Sequence, residues 1–230
     1  MSIISEVYNV DCVGYMKNLP DNFFDLSICD PPYGINADEK NSTDKKQSKK
    51  SAHNSKDYGN QKWDANIPSE EYFTQLKRVS KNQIIWGANY FGLTGGMIFW
   101  DKCVTMPTYS KGELAYCSLI NSVQLFKYAW HGMIQQNMKD KELRYHPTQK
   151  PIALYYWLLQ NYAKPNDRIL DTHLGSGSSR IAAYELGFDF YGTEIDTQYF
   201  DDSCSRFATH IAQTKLFTPA QIKAEQTHLF

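Results

Sequence analysis

Short apolar runs alternate along this chain with longer stretches in which apolar residues recur every three or four positions. Val7–Val10, Phe24–Cys29, Gln83–Trp86, Gly96–Trp100, Leu114–Ser118, Ser122–Tyr128, Arg168–Leu170 and Asp189–Glu194 read as strands. Helical spacing marks Val13–Asn18, Ser69–Val79, Pro151–Tyr162, Ser178–Leu186 and Tyr199–Thr214. In Ser69–Val79 the residues Tyr72, Phe73, Leu76 and Val79 share one face, and Gly187 is placed to cap the helix before it. Several strands are apolar throughout rather than alternating, which is the pattern of strands covered on both faces. The expected fold class is therefore α/β, a mostly parallel sheet with helices on both faces. Leu114–Ser118 and Ser122–Tyr128 are expected to form an antiparallel hairpin at its edge.

Two segments break the pattern. Residues 36–62 are rich in Lys, Ser, Asn and Asp and show no hydrophobic period, so a flexible polar loop is expected there. A loop that long inside a compact domain is usually functional, as a lid or a contact arm. Residues 130–145 are polar as well. Nothing else divides the chain, and 230 residues at 42% hydrophobic suit one domain spanning 1–230.

The net charge of −1 does not announce a polyanion partner, but the charge is unevenly spread. Residues 36–62 carry seven lysines against four acids, and residues 127–150 carry five basic residues against two acids, +3 in each case. Local basic surface of that size neutralises a few phosphates. The five cysteines are scattered, odd in number and without a C-x-x-C pair, which argues against a disulfide framework and against zinc; no metal is expected. The first residues lack a basic region followed by an apolar core, and no apolar run is long enough to span a bilayer. A cytoplasmic protein with no membrane partner is the expectation.

Chemistry concentrates in two motifs. Asp30-Pro31-Pro32-Tyr33-Gly34 follows the strand Phe24–Cys29 and sets an acceptor, two rigid residues and an aromatic face at its end. Asp171-Thr172-His173-Leu174-Gly175-Ser176-Gly177 follows Arg168–Leu170 and opens into a helix, a strand-turn-helix cradle for a nucleotide-like ligand. Glu194 stands 23 residues beyond Asp171 at the end of the next strand, where an acid commonly accepts from ribose hydroxyls.

D-P-P-Y-G, then His146–Pro151 (H-P-T-Q-K-P), then D-x-x-x-G-S-G, then Gly192–Asp196 (G-T-E-I-D) occur in that order. The set resembles the amino-DNA methyltransferases that use S-adenosyl-L-methionine, in the subgroup whose catalytic motif precedes the cofactor motif. Asp11-Cys12, Ile84–Phe91 and Ile98–Lys102 fit the same family, and the likeness covers roughly residues 5 to 210. It implies a Rossmann-like methyltransferase fold with circularly permuted motif order.

By that resemblance Asp30, Pro31, Pro32 and Tyr33 are catalytic. Asp30 and the Pro31 carbonyl would accept the amine hydrogens while Tyr33 offers a face to a base flipped out of the duplex. The cofactor would meet Asp11, Cys12, Asp30, Thr148, Gln149, Lys150, Asp171, Gly175, Ser176, Gly177, Ser178, Glu194 and Ile195. Double-stranded DNA would be the partner, with residues 130–145 as a short recognition insert and Lys127, Lys139, Lys141 and Arg144 as its contacts. A homodimer would enlarge that surface, and a cognate restriction endonuclease would complete a restriction-modification pair. Asp at the head of P-P-Y implies adenine N6, since cytosine-N4 enzymes usually carry Ser there; cytosine N4 remains the alternative. A protein-glutamine methyltransferase and an inactive DNA- or cofactor-binding module are the readings from other classes. One departure stands out: Thr172-His173 replaces the family's Pro-Phe, and a titrating His173 would make cofactor binding depend on pH.

Overall fold

The computed structural model describes residues 3–35, 64, 66–107, 110–131, 133–139, 141–146 and 148–214. The expected polar loop at 36–62 lies outside the described residues. One eight-stranded sheet runs through the rest, in the order β1-β10-β9-β2-β3-β5-β4-β6. These are β1 (Ser5–Tyr8), β2 (Phe24–Cys29), β3 (Ser80–Trp86), β4 (Met97–Asp101), β5 (Gly112–Cys117), β6 (Val123–Lys127), β9 (Arg168–Asp171) and β10 (Asp189–Thr193). A separate two-stranded ribbon joins β7 (Trp130–His131) to β8 (Ile134–Gln135).

The first five strands in that order are mutually parallel. β2 and β3 sit centrally and their apolar residues point into both layers. Ile84 and Trp86 join the core on one face while Ile85 joins the core on the other. The first face is covered by α3 (Ile152–Tyr162) and α4 (Ser178–Leu186), the second by α1 (Cys12–Lys17) and α2 (Glu70–Val79). α5 (Thr197–Thr214) packs outside α4, where Tyr184 meets Phe207 edge-on at 5.4 Å.

The helices carry their own start and stop signals. Ser69 caps α2 by accepting from the Tyr72 N–H, with Glu70 and Glu71 in the first turn and Lys77 and Arg78 in the last, matched to the helix dipole. Tyr72, Leu76 and Val79 are its buried stripe. α3 is apolar nearly all round and correspondingly buried. α4 starts and stops on glycines in the left-handed region, Gly177 at φ 75° and Gly187 at φ 82°.

Two expectations need correction. β5 does not pair with β6. It runs antiparallel to both β3 and β4, and β6 runs parallel to β4 on the far side. The hairpin near the edge is thus β4–β5. The reason is local: the link after β5 crosses the start of β4 at Gly96, where a Cβ would lie 2.0 Å from the Ile120 carbonyl oxygen. Only a residue without a side chain lets the chain step over β4 there. The first strand also ends earlier than expected, at Tyr8, because the Asn9 side chain turns to donate to the Glu194 and Ile195 carbonyls.

Candidate active site

Parallel strands deliver their C-terminal ends to one edge of the sheet. Asp11 follows β1, Glu194 follows β10, Asp171 ends β9, Asp30 follows β2 and Gly87 follows β3. The chain leaves β9 and β2, which are neighbours, in opposite directions, so a crevice opens between them as in other doubly wound sheets. Asp30 and Asp171 stand on its two sides.

The D-P-P-Y turn is held from several directions. Asp64, buried to 2% exposure, accepts from the Tyr33 and Gly34 N–H groups at 2.6 and 3.0 Å. The Tyr33 ring stacks on Tyr90 with centroids 4.9 Å apart and lies against Gly87. At Gly87 (φ 79°) a Cβ would sit 2.4 Å from that ring, so both the backbone and the space demand glycine. The Tyr33 hydroxyl donates to Asp30 Oδ1 at 2.5 Å, and Lys150 Nζ donates to Asp30 Oδ2 at 2.5 Å.

Lys150 also reaches Glu113 Oε2 at 2.9 Å, and the other oxygen of Glu113 takes Lys102. Asp30, Lys150, Glu113 and Lys102 thus form an alternating chain of charge with Lys150 only 3% exposed at its side chain. Burial pulls the Lys150 ammonium down, but Asp30 and Glu113 outweigh it and raise it. Burial likewise pushes Glu113 up, and Lys150 with Lys102 outweighs that, leaving it at about 2. Asp30 is raised, chiefly by burial with Glu113 adding, despite Lys150. Asp30, Tyr33, Tyr90, Glu113, Thr148 and Lys150 all face one cavity of about 400 Å³.

Across the crevice, Gly175 (φ 49°) and Gly177 (φ 75°) turn the chain from β9 into α4. Asp171 is 1% exposed; its carboxylate accepts from the Ser179 hydroxyl at 2.5 Å and the His173 N–H at 3.0 Å. Burial, with Asp30 and Glu194 nearby, raises it to about 7. Glu194 accepts from the Gly175 and Asp196 N–H groups at 2.8 and 3.0 Å, and Ile195 beside it is 70% exposed. His146 packs edge-on to Tyr199 at 4.3 Å and lies next to Gly175. Ser176 and Ser178 share a hydroxyl hydrogen bond of 3.2 Å. This crevice suits a nucleoside carrying a charged tail: a buried carboxylate, a side-chain-free turn, an acid at the next strand end and an uncovered apolar residue beside it.

The remaining expected residues divide. Asp11 caps α1 through the Gly14 N–H at 2.7 Å, and burial raises the Cys12 thiol to about 12. Gln149 is turned into its own loop: it accepts from the Tyr145 N–H and donates to the Leu143 carbonyl. Lys127 and Lys139 are exposed, Lys141 donates to the Met133 carbonyl, and Arg144 lies over the Trp130 ring at 4.7 Å. The surroundings of His173 argue against the expected pH dependence. Burial lowers it to about 4, and the neutral ring sits edge-on to Tyr72 at 5.3 Å while Nδ1 meets the Thr172 hydroxyl.

Sequence reasoning missed Asp64, Glu113, Lys102, Glu142 and Arg206. Arg206 donates to the Ser176 carbonyl and the Ser178 hydroxyl on one side and to Glu142 on the other, each at 2.9 Å. Glu142 in turn accepts from the Ile152 N–H at the start of α3. Lys102 closes the family-like stretch Ile98–Lys102, whose likeness could have pointed to it; the other four sit in no motif, and only their place beside one distinguishes them.

The doubly wound sheet, with its acids at one edge and its permuted motif order, is a Rossmann-like methyltransferase fold. A family model described as DNA methylase, for the N6/N4 class, matches residues 102–205. YubD of Escherichia coli (strain K12), assigned as a methylase, is 28% identical over 86% of this chain and 88% of its own length. The solved M1.HpyAVI–SAM complex is 21% identical with a TM-score of 0.52, covering 87% of this chain and 98% of that one. The PvuII DNA methyltransferase, cytosine-N4-specific, is 14% identical with a TM-score of 0.58, covering 89% and 87%. The chain is thus similar to the N6/N4 class of DNA methylases over residues 102–205 and to a methylase along most of its length.

Proposed function

We propose that this chain methylates the exocyclic N6 of adenine at a short site in double-stranded DNA. The observation that carries the reading is Asp30, a raised carboxylate at the end of β2, facing a cavity of about 400 Å³ with Tyr33 beside it. S-adenosyl-L-methionine supplies an electrophilic methyl group there. Asp171, the Gly175–Gly177 turn, Glu194 and Ile195 would hold it, and they fit a nucleoside with an ammonium-bearing tail.

The amine of adenine is conjugated with its ring, and its lone pair is poorly available. Asp30 and the Pro31 carbonyl would each accept an amine hydrogen, favouring the pyramidal nitrogen of the transition state. Pro31 and Pro32 limit the directions that carbonyl can take. Tyr33 and Tyr90 offer aromatic surface to a base taken out of the stack. Adenine is favoured over cytosine by the Asp at the head of the motif.

The test is modification-sensitive sequencing of DNA from a methylation-free host expressing the chain. N6-methyladenine at one recurring short site is expected, and an Asp30→Ala culture should be blank while that variant still binds cofactor. N4-methylcytosine in its place would overturn the choice of base, and no modified base would overturn the enzyme.

A further inference from the structure

The acceptor at the centre of the site is already in use. Both oxygens of Asp30 are engaged, one by the Tyr33 hydroxyl and one by Lys150, each at 2.5 Å. Each oxygen keeps a second lone pair, but an amine arriving at Asp30 competes with these donors for its charge and makes a weaker bond while both stay in place. Lys150 cannot retreat into water, because its side chain is 3% exposed. It has a second carboxylate within reach, Glu113, at 2.9 Å.

We propose that Glu113 is a positioning residue for Asp30: it takes over Lys150 as the target amine docks, so that an Asp30 oxygen can accept from the amine. The inference rests on the amino-methyltransferase reading and adds to it a residue that lies outside every motif.

The fold places Glu113 for this. It stands on β5, the strand inserted antiparallel between β3 and β4, and so reaches Lys150 from the side of the cavity opposite β2. Lys102, just past the end of β4, holds its other oxygen across the same hairpin. Glu113 stays anionic between two ammonium groups and keeps its attraction for Lys150. Its charge also helps to raise Asp30, after burial. The other groups facing Asp30 are Tyr33 from its own turn, Tyr155 from α3 and Asp171 from β9. None of these is a second anion within hydrogen-bond reach of Lys150 among the described residues.

Glu113→Gln keeps the shape and removes the charge. Lys150 then loses its second anion and keeps only Asp30 and the Tyr33 hydroxyl, at 3.2 Å, so the Asp30 carboxylate is a weaker acceptor and less basic. Two readouts test this: single-turnover methyl transfer at saturating cofactor and DNA, and a carboxyl-carbon NMR titration of Asp30 assigned with Asp30→Asn. The variant is expected to transfer about ten- to a hundredfold more slowly with cofactor affinity within about twofold of the parent. The Asp30 midpoint should move to lower pH. Glu113→Asp, which keeps the charge, should recover the midpoint and part of the rate. A Glu113→Gln rate equal to the parent overturns the proposal. So does a slow variant whose Asp30 titration is unchanged, since the loss would then be one of packing. If the parent methylates no DNA, the functional reading fails and the role of Glu113 falls with it; if the parent methylates and Glu113→Gln keeps its rate or its Asp30 midpoint, the role of Glu113 alone fails.

Discussion

Lys150 holds its charge between Asp30 and Glu113 with almost no access to water. Lys150→Met would leave Asp30 without its counterion and beside Glu113, which keeps only Lys102. A loss of about 3 kcal/mol is expected, read from urea unfolding. Asp171 makes a separate prediction about pH. Its carboxyl is raised from 3.8 to about 7, so the fold keeps a proton that the unfolded chain has released. Between those values stability falls as pH rises, and Asp171→Asn should flatten that slope in unfolding measured across the window. A cationic cofactor tail held at Asp171, as proposed, would favour the carboxylate. Binding should therefore release a proton below pH 7 and tighten as pH rises towards 7, as calorimetry in buffers of different ionisation enthalpy would report. His173, already neutral above about 4, contributes nothing to this, so His173→Phe should leave the pH profile of binding unchanged. Asp30, Tyr33, Asp171 and Glu194 were legible as candidates in the sequence because a motif ties each to a strand end. Glu113 and Lys102 were not, because their meeting with Lys150 depends on which strand lies next to β3.

At the scale of elements, the insert between β6 and α3 is tied down more firmly than its polarity suggests. Gln135 and Glu142 bracket it with two hydrogen bonds of 2.9 and 2.8 Å, Trp130 donates to the Gln149 carbonyl, and Glu142 is clamped by Arg206. Glu142→Ala would strand the buried Arg206 charge and free the first turn of α3. It should cost about 3 kcal/mol and weaken cofactor binding, since Arg206 also holds the Ser176 carbonyl. Limited proteolysis within 130–145 and cofactor titration check both parts. Helix extents followed from periodicity and caps to within a residue or two. The β4–β5–β6 arrangement did not, because a period-2 or fully apolar run says nothing about its neighbours.

At the scale of the molecule, the net charge of −1 leaves DNA attraction to local clusters. With Lys127, Lys139, Lys141 and Arg144 as the contacts, log K against log salt should have a slope of about −2 to −4. Lys139→Ala, at an exposed position, should lower that slope by about 1. Arg144→Ala should lower the slope likewise and in addition lower stability, because its guanidinium covers Trp130. Filter binding over a range of salt concentrations reads the slopes, and urea unfolding reads the stability. Among the described residues no helix is long and apolar enough to cross a membrane.

The residues by themselves determined the α/β class, the two motifs and the order in which they occur. Local signals suffice for these: apolar runs, caps, turn glycines and an acid at a strand's end are written in consecutive positions. Only the tertiary structure decided that Asp30 meets Lys150 and Glu113, that the insert hangs on Arg206, and that β5 lies between β3 and β4. Those contacts join residues tens to more than a hundred positions apart, and they exist because parallel strands bring their ends to one edge. A motif names the candidate acceptor. The charges that govern how strongly it accepts come from the packing around it.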